Sequence, residues 1–165
     1  MSDAPSRKRI RLPEYDYSSP GAYFVTVCTH DRRCILSRIA VGDGVLDVPQ
    51  IHLLPYGEIV AATLQEMAAS YPWLALDHYV IMPNHIHLLL RIGSAGPSRT
   101  PAPTNATLPM LISTLKRFSN KKCGIGIFQR SYHEHVIRNE NDYLQIWEYI
   151  DTNPAKWAED RYFSP

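Results

Sequence analysis

The segment from Leu76 to Ile92, LDHYVIMPNHIHLLLRI, decides the prediction of the fold. Two of its runs, Leu76–Met82 and Ile86–Ile92, are rich in apolar and β-branched residues, a composition typical of strands. Pro83 and Asn84 stand between the runs, and both residue types favour a turn. The segment therefore predicts two strands that follow each other closely along the chain.

The flanking segments extend this pair of strands to a complete domain. Residues 21–29, GAYFVTVCT, predict a buried strand, and apolar residues at helical spacing predict a helix from about Tyr56 to Ser70. Further along, the patterns predict a helix over Leu108–Lys122, a strand over Ile127–Ile137 and a last helix from about Glu140 to Asn153. This order predicts an α+β fold of the ferredoxin-like (split βαβ) type. It has an antiparallel sheet with helices on one face, and the extra C-terminal helix carries Tyr149.

Three parts of the chain fall outside this pattern. Residues 1–20 form a predicted arm that is first basic and then rich in tyrosine, and residues 21–165 form the predicted single domain. Asp31–Val48, with scattered glycines and charges, predicts an irregular excursion. Gly93–Thr107 is rich in Ser, Gly, Pro and Thr and predicts an exposed flexible loop.

Composition excludes several classes of protein. The 165 residues include 17 Lys and Arg against 16 Asp and Glu, so a strongly basic histone-like protein and an acidic tail are both excluded. Three cysteines without a CxxC motif argue against a disulfide framework and a zinc ribbon. We find no apolar run near the roughly 20 residues of a membrane span and no secretory signal. These observations predict a cytoplasmic protein.

His85 and His87 are the most informative candidate site. Side chains alternate along a strand, so the two imidazoles share one face while Ile86, Leu88 and Leu90 point to the other. Two imidazoles on one face can hold a divalent metal if a third ligand comes from elsewhere. The alternative for such a pair is two surface histidines without a function. His133 and His135 have the same spacing and are a rival pair, with no clearly apolar face beside them.

The last predicted helix presents a second set of polar groups. Tyr149 lies at the margin of its apolar stripe, so the hydroxyl can reach solvent. Asn153 is four residues further on, beside Tyr149 on the same surface, and Pro154 places it at the end of the helix. An amphipathic core tyrosine followed by an Asn-Pro helix stop is the alternative interpretation.

The residues 79–88, YVIMPNHIHL, resemble the HUH signature (His, hydrophobic, His) of single-tyrosine DNA transposases. The whole chain is similar to one bacterial branch of that group, the REP-associated tyrosine transposases. The similar segments also include 23–27 (YFVTV), Phe118 after Lys116 and Arg117, 135–139 (HVIRN) and 148–157 (EYIDTNPAKW). They occur in the expected order over nearly the whole chain. Phe128-Gln129 stands where the family often has Trp-Gln.

This resemblance implies a site and a mechanism. His85 and His87 would hold Mg²⁺ or Mn²⁺, with Asn153 as the third protein ligand. Tyr149 would be the nucleophile that attacks the scissile phosphate and leaves a 5′-phosphotyrosine and a free 3′-hydroxyl. Tyr132 and Tyr143 are rival nucleophiles. The implied partner is single-stranded DNA with a hairpin, bound by a monomer or a homodimer.

Two basic clusters support a nucleic-acid partner, although each can also be a solvated tail or helix face. They are Arg7, Lys8, Arg9 and Arg11 in the arm, and Lys116, Arg117, Lys121 and Lys122 on the second predicted helix. Two other functions compete with the transposase. A non-catalytic, RRM-like or domesticated binder needs neither Tyr149 nor a metal. A metal-dependent phosphodiesterase uses water as the nucleophile, with Asp77 and Glu134 as the obvious extra carboxylates.

Overall fold

The computed structural model describes residues 20–40, 48–93 and 108–163 of the chain. The strands in these ranges are β1 (Gly21–Cys28), β2 (Ser37–Ala40), β3 (Gln50–Leu53), β4 (Leu74–Ile81), β5 (His85–Ile92) and β6 (His133–Ile137). The α-helices are α1 (Pro55–Ser70), α2 (Leu108–Cys123) and α3 (Glu140–Thr152). Short 3₁₀ segments cover His30–Arg32 and Pro154–Glu159.

Four of the strands form one antiparallel sheet in the order β4-β5-β1-β6. The helix α1 connects β1 to β4 by way of the β2–β3 hairpin, and α2 lies between β5 and β6 in the chain. This is the strand order of a split βαβ unit, so the predicted ferredoxin-like fold is confirmed.

The two faces of the sheet are covered differently. Ile86, Leu88 and Leu90 of β5 point to the face covered by α1 and α2, where they belong to the main apolar core. His85, His87 and Leu89 point to the opposite face, because side chains alternate along the strand. There Leu89 packs in a second cluster that includes residues of α3. The face of the sheet that carries His85 and His87 is therefore the face against which α3 packs.

Two predicted elements differ from the structure. The segment 31–48, expected to be irregular, contributes strand β2, which pairs with β3. Ile39 and Ile51 are paired across this hairpin and pack on the second apolar cluster, which stabilises it. The predicted strand 127–137 is shortened to β6, since the backbone carbonyls of residues 129–131 accept hydrogen bonds from the Lys116 ammonium.

The predicted basic arm and the predicted flexible loop lie outside the described residues, except for Pro20 and Gly93. Among the helices that are described, none is long and apolar enough to cross a membrane. The three cysteines are free thiols.

Candidate active site

The two histidines of β5 face each other with their Nε2 atoms 3.1 Å apart. They are buried, with exposed fractions of 0% and 1%. His85 Nδ1 donates a hydrogen bond to Asn84 Oδ1 at 2.9 Å, and His87 Nδ1 shares one with Thr26 Oγ1 at 2.8 Å. The proton on His85 Nδ1 leaves the Nε2 lone pair available, the arrangement that outer partners impose on metal-binding histidines.

Asp160 and Asn153 bring oxygen atoms to this pair. Asp160 Oδ2 lies 4.0 Å from His85 Nε2, and one ligand atom from each of His85, His87 and Asp160 lies within 4.8 Å of the others. Asn153 Nδ2 donates to Asp160 Oδ2 at 2.8 Å. Asn153 Oδ1 is buried without a hydrogen-bond partner among the described residues. Two imidazole nitrogens, a carboxylate and an unpaired amide oxygen fit a divalent cation, since Mg²⁺ and Mn²⁺ favour oxygen ligands.

Asp160 is the functional candidate that the sequence analysis missed. It follows the short 3₁₀ segment Pro154–Glu159, which returns the chain to the histidines. The sequence predicts only a turn at Asn84, yet the side chain of this residue is fully buried. Its Nδ2 donates to the carbonyls of Arg32 and Tyr162, so one amide connects His85 to two neighbouring segments. The feature of the sequence that indicates this contact is the position of Asn84 directly before His85.

The Asn84 amide gives a prediction about metal affinity. Asn84→Ala removes the acceptor of the His85 Nδ1 proton, so the ring is free to rotate or to change tautomer. We expect the Mn²⁺ affinity to fall about 10- to 100-fold, as for other outer partners of metal ligands. Calorimetric titration of the folded variant measures it. An affinity equal to that of the wild type would show that Asn84 does not orient His85.

Burial controls the protonation of the histidine pair. Desolvation lowers the pKa of His85 to about 4, with Asp160 acting in the opposite direction. Burial, together with the nearby His85, lowers the pKa of His87 well below its ordinary value. Both rings are therefore neutral near neutral pH, and neutral imidazole is the form that binds a metal.

This burial predicts how stability depends on pH. The unfolded His85 ring takes up a proton as pH falls below about 6.5, whereas the folded ring resists protonation down to about 4. The free energy of unfolding therefore falls by about 3 kcal/mol as pH is lowered from about 6.5 to about 4. Urea unfolding of metal-free protein at several pH values measures the loss. The matched control, His85→Gln, should show a smaller dependence, and an equal dependence would contradict the assignment.

Tyr149 lies beside the histidine pair in the same chain. Its ring centroid is 5.3 Å from that of His87 and 5.9 Å from that of Phe24, and the residue is 40% exposed. The predicted position at the margin of the helix is thus confirmed. Burial raises the pKa of Tyr149, and a hydrogen bond with Asn153 acts in the opposite direction. The neighbouring Ile150 is buried and anchors this turn of α3.

The two rival nucleophiles, Tyr143 and Tyr132, make their contacts away from the histidine pair. The Tyr143 hydroxyl donates to Asp77 Oδ2 at 2.9 Å, and burial with this hydrogen bond raises the pKa of Tyr143 to about 12. Tyr132 packs against the main core on the face of α1 and α2, 5.4 Å from the Lys116 ammonium. Tyr149 is the one of the three whose ring contacts the ring of His87.

The second histidine pair lies on the same face of the sheet, across β1. Thr26 of β1 pairs with His87 on one side and with His133 on the other, so a single strand separates the two pairs. His135 Nε2 contacts both carboxylate oxygens of Asp142, at 3.0 and 2.8 Å. Neither His133 nor His135 belongs to the cluster that could hold a metal.

The predicted DNA-binding cations of α2 divide into two groups. The Lys116 ammonium donates to three backbone carbonyls, and burial lowers the pKa of Lys116 to about 8, while its role in DNA binding stays a prediction. Lys122 binds Glu66 of α1 at 2.6 Å. Arg117 and Lys121 are exposed, on the helix that covers the opposite face from the histidine pair. Arg7, Lys8, Arg9 and Arg11 lie outside the described residues.

Comparison with known proteins gives two relatives in sequence. No protein-family model matches the chain. A Haemophilus influenzae protein described only as "Uncharacterized protein" is 31% identical over 177 residues, which covers 95% of this chain and 93% of the relative. A second protein from that organism, described as "Putative REP-associated tyrosine transposase", is 24% identical over 147 residues, or 86% of this chain and 74% of the relative.

A solved structure shares the fold of this chain. A solved structure of a REP-associated tyrosine transposase bound to a REP hairpin matches with a TM-score of 0.61 and 22% identity, covering 88% of this chain and 74% of the other. The chain is therefore similar in sequence to a described REP-associated tyrosine transposase and shares the fold of a solved one. The resemblance inferred from the sequence is thereby confirmed, and this similarity supports a transposase role.

Proposed function

We propose that the chain cleaves and rejoins single-stranded DNA at hairpin-containing repeats through a 5′-phosphotyrosine on Tyr149, with a divalent metal, Mg²⁺ or Mn²⁺. One observation carries the proposal. Within a single chain, the Tyr149 ring lies 5.3 Å from the ring of His87, whose Nε2 faces His85 Nε2. A nucleophile and a candidate metal site are thus adjacent, which is the arrangement that phosphodiester transfer requires.

The metal ligands would be His85 Nε2, His87 Nε2 and Asn153 Oδ1, with Asp160 Oδ2 beside them. When bound, the cation would polarise a non-bridging oxygen of the scissile phosphate and orient the phosphate for in-line attack. Asn84 and Thr26 hold the two imidazoles in the orientation that presents their Nε2 atoms. Asn153 also acts against the rise in the pKa of Tyr149 that burial causes, so the proposed third ligand lies close to the proposed nucleophile.

The bond changes balance without an external energy source. Tyr149 Oη loses its proton to solvent and forms a bond to phosphorus, while the bond from phosphorus to O3′ breaks and O3′ takes up a proton. The energy of the phosphodiester is retained in the tyrosine ester, so a 3′-hydroxyl can reverse the step and join strands without ATP. Because the pKa of Tyr149 is raised by burial, a nearby cation is needed to favour the phenolate.

The choice of DNA substrate rests on the relatives and on charge. The solved family member is bound to a REP hairpin, and we extend that class of partner to this chain. Arg117 and Lys121 remain available for phosphate contacts, and the N-terminal arm adds four more cations. Since one chain brings Tyr149 to its own histidines, a monomer would contain a complete site, and a homodimer is not required.

A non-catalytic DNA-binding protein is the second candidate function. The observation that favours it is the cover over the histidine pair: Tyr162 lies 4.7 Å from His85, ring to ring, and Trp157 lies 5.9 Å from it. A site covered in this way binds DNA without cutting it unless the phosphate can reach the imidazoles.

Denaturing electrophoresis tests the proposal. The full chain is incubated with end-labelled single-stranded hairpin DNA and Mn²⁺ or Mg²⁺, beside samples that contain EDTA. We expect a DNA band that migrates with the protein and disappears with EDTA or with protease. Hairpin binding without cleavage under every metal condition would favour the non-catalytic binder. Cleavage without any protein-linked DNA would favour attack by water.

A further inference from the structure

The sheet face that carries the histidine pair also has an open pocket of about 410 Å³ towards the other end of β5. In one cross-strand row Ala22 of β1 pairs with Arg91 of β5 and with Ile137 of β6, and all three line the pocket. The other lining residues, Asn139, Glu140 and Tyr143, belong to the start of α3 and its N-cap. Because Ala22 has only a methyl group, space remains between the sheet and the helix. The volume is typical of small-ligand sites.

Arg91 is held rigidly in this pocket. Its Nε and Nη2 atoms lie 2.5 and 2.8 Å from the two carboxylate oxygens of Asp77, and the Tyr143 hydroxyl donates to the same carboxylate at 2.9 Å. The Asp77 side chain is 9% exposed, whereas that of Arg91 is 40% exposed. Asp77 accepts from two of the guanidinium nitrogens, so the remaining N–H groups of a fixed planar donor are available to a ligand.

The other walls of the pocket define the ligand further. Glu140 contributes an exposed carboxylate, so a simple phosphate in this pocket would meet a like charge as well as the arginine. A suitable ligand presents acceptors to Arg91, donors to Glu140 and a flat face to the Tyr143 ring. Guanine has this combination, with O6 and N7 as acceptors and N1–H and the N2 amino group as donors. Adenine instead presents an amino donor where the guanidinium needs an acceptor.

We propose that this pocket binds one unpaired guanine of the DNA strand that is cut, through Arg91, Glu140 and Tyr143. The inference rests on the proposed function, since it takes single-stranded DNA as the substrate. Arg91 is four residues from His87 on the same face of β5, about 14 Å away. Phe24 lies in the cross-strand row between them and packs on His87. An extended strand can therefore place a phosphate at the histidines and a base in the pocket.

Fluorescence anisotropy with the full-length Tyr149→Phe protein tests the proposal without cleavage. The probes are oligothymidines with one central guanine, adenine, 7-deazaguanine or inosine. We expect the guanine probe to bind about 5- to 150-fold more tightly than the adenine probe, the range for a bidentate base contact. Loss of the N7 acceptor in 7-deazaguanine, or of the N2 amino group in inosine, should reduce this preference.

Protein variants test whether the preference for guanine depends on the pocket. Arg91→Gln should remove the guanine preference, and Ala22→Leu should also remove it by filling the pocket from the floor. Arg38→Gln removes the same charge from an exposed position on β2 and should retain the preference. Equal affinity for guanine and adenine, with binding to single-stranded DNA intact, would overturn this inference alone. A lack of binding to any single-stranded DNA would overturn both the inference and the proposed function.

Discussion

Tyr149→Phe is expected to abolish the covalent protein–DNA product. The substitution removes the attacking oxygen and keeps the ring that packs against His87 and Phe24, so the fold should be retained. Loss of a nucleophile lowers turnover by a factor on the order of 10⁴ or more in enzymes that form covalent intermediates. The measurement is the yield of protein-linked DNA on a denaturing gel, with hairpin binding followed in parallel to show that the variant still recognises the substrate.

Tyr132→Phe is the matched control for this experiment. It removes the same atom from a tyrosine on the opposite face of the sheet and should leave the yield of adduct unchanged. An adduct that persists in Tyr149→Phe and disappears in Tyr132→Phe would contradict the assignment and transfer the nucleophile to Tyr132.

Substitution of His87 is expected to have the second-largest effect. His87→Gln keeps most of the side-chain volume in a fully packed position, but it removes the imidazole Nε2 that faces His85 Nε2. We expect the Mn²⁺ affinity to fall by more than about 100-fold, because outer partners of metal ligands alone contribute 10- to 100-fold. Cleavage should decrease in parallel at fixed Mn²⁺ concentration and recover in part as Mn²⁺ is raised.

His52→Gln is the control for His87→Gln. His52 is exposed on β3, outside the cluster that could hold a metal, and its substitution should change neither metal affinity nor cleavage. Thermal unfolding of both variants separates a loss of ligand from a loss of fold. Wild-type Mn²⁺ affinity in folded His87→Gln would show that His87 does not hold the metal.

The parts of the site that follow from local periodicity were predictable. Alternation along a strand places His85 and His87 on one face and Ile86 on the other. Helical spacing places Tyr149 at the margin of α3, and Pro154 marks where that helix ends. Each of these inferences needs only a few consecutive residues and the geometry of one element, which is why each agrees with the structure.

The parts that depend on tertiary contacts were not predictable in the same way. Asp160 reaches the histidines because the chain turns back through a short 3₁₀ segment, and no spacing in the sequence specifies that return. Lys116 lies in a basic stretch typical of nucleic-acid binding, yet its ammonium satisfies three carbonyls in the segment before β6. The β2–β3 hairpin forms because Ile39 and Ile51 find an apolar partner surface, a contact that a scan of nearby residues does not reveal.

We propose that Tyr149 carries the DNA during strand transfer. The most direct test traps the adduct with hairpin DNA and Mn²⁺, digests the protein and the DNA, and locates the nucleotide by tandem mass spectrometry. We expect a residual nucleotide linked through phosphate to Tyr149. A nucleotide on Tyr132, on Tyr143 or on any other residue would contradict it.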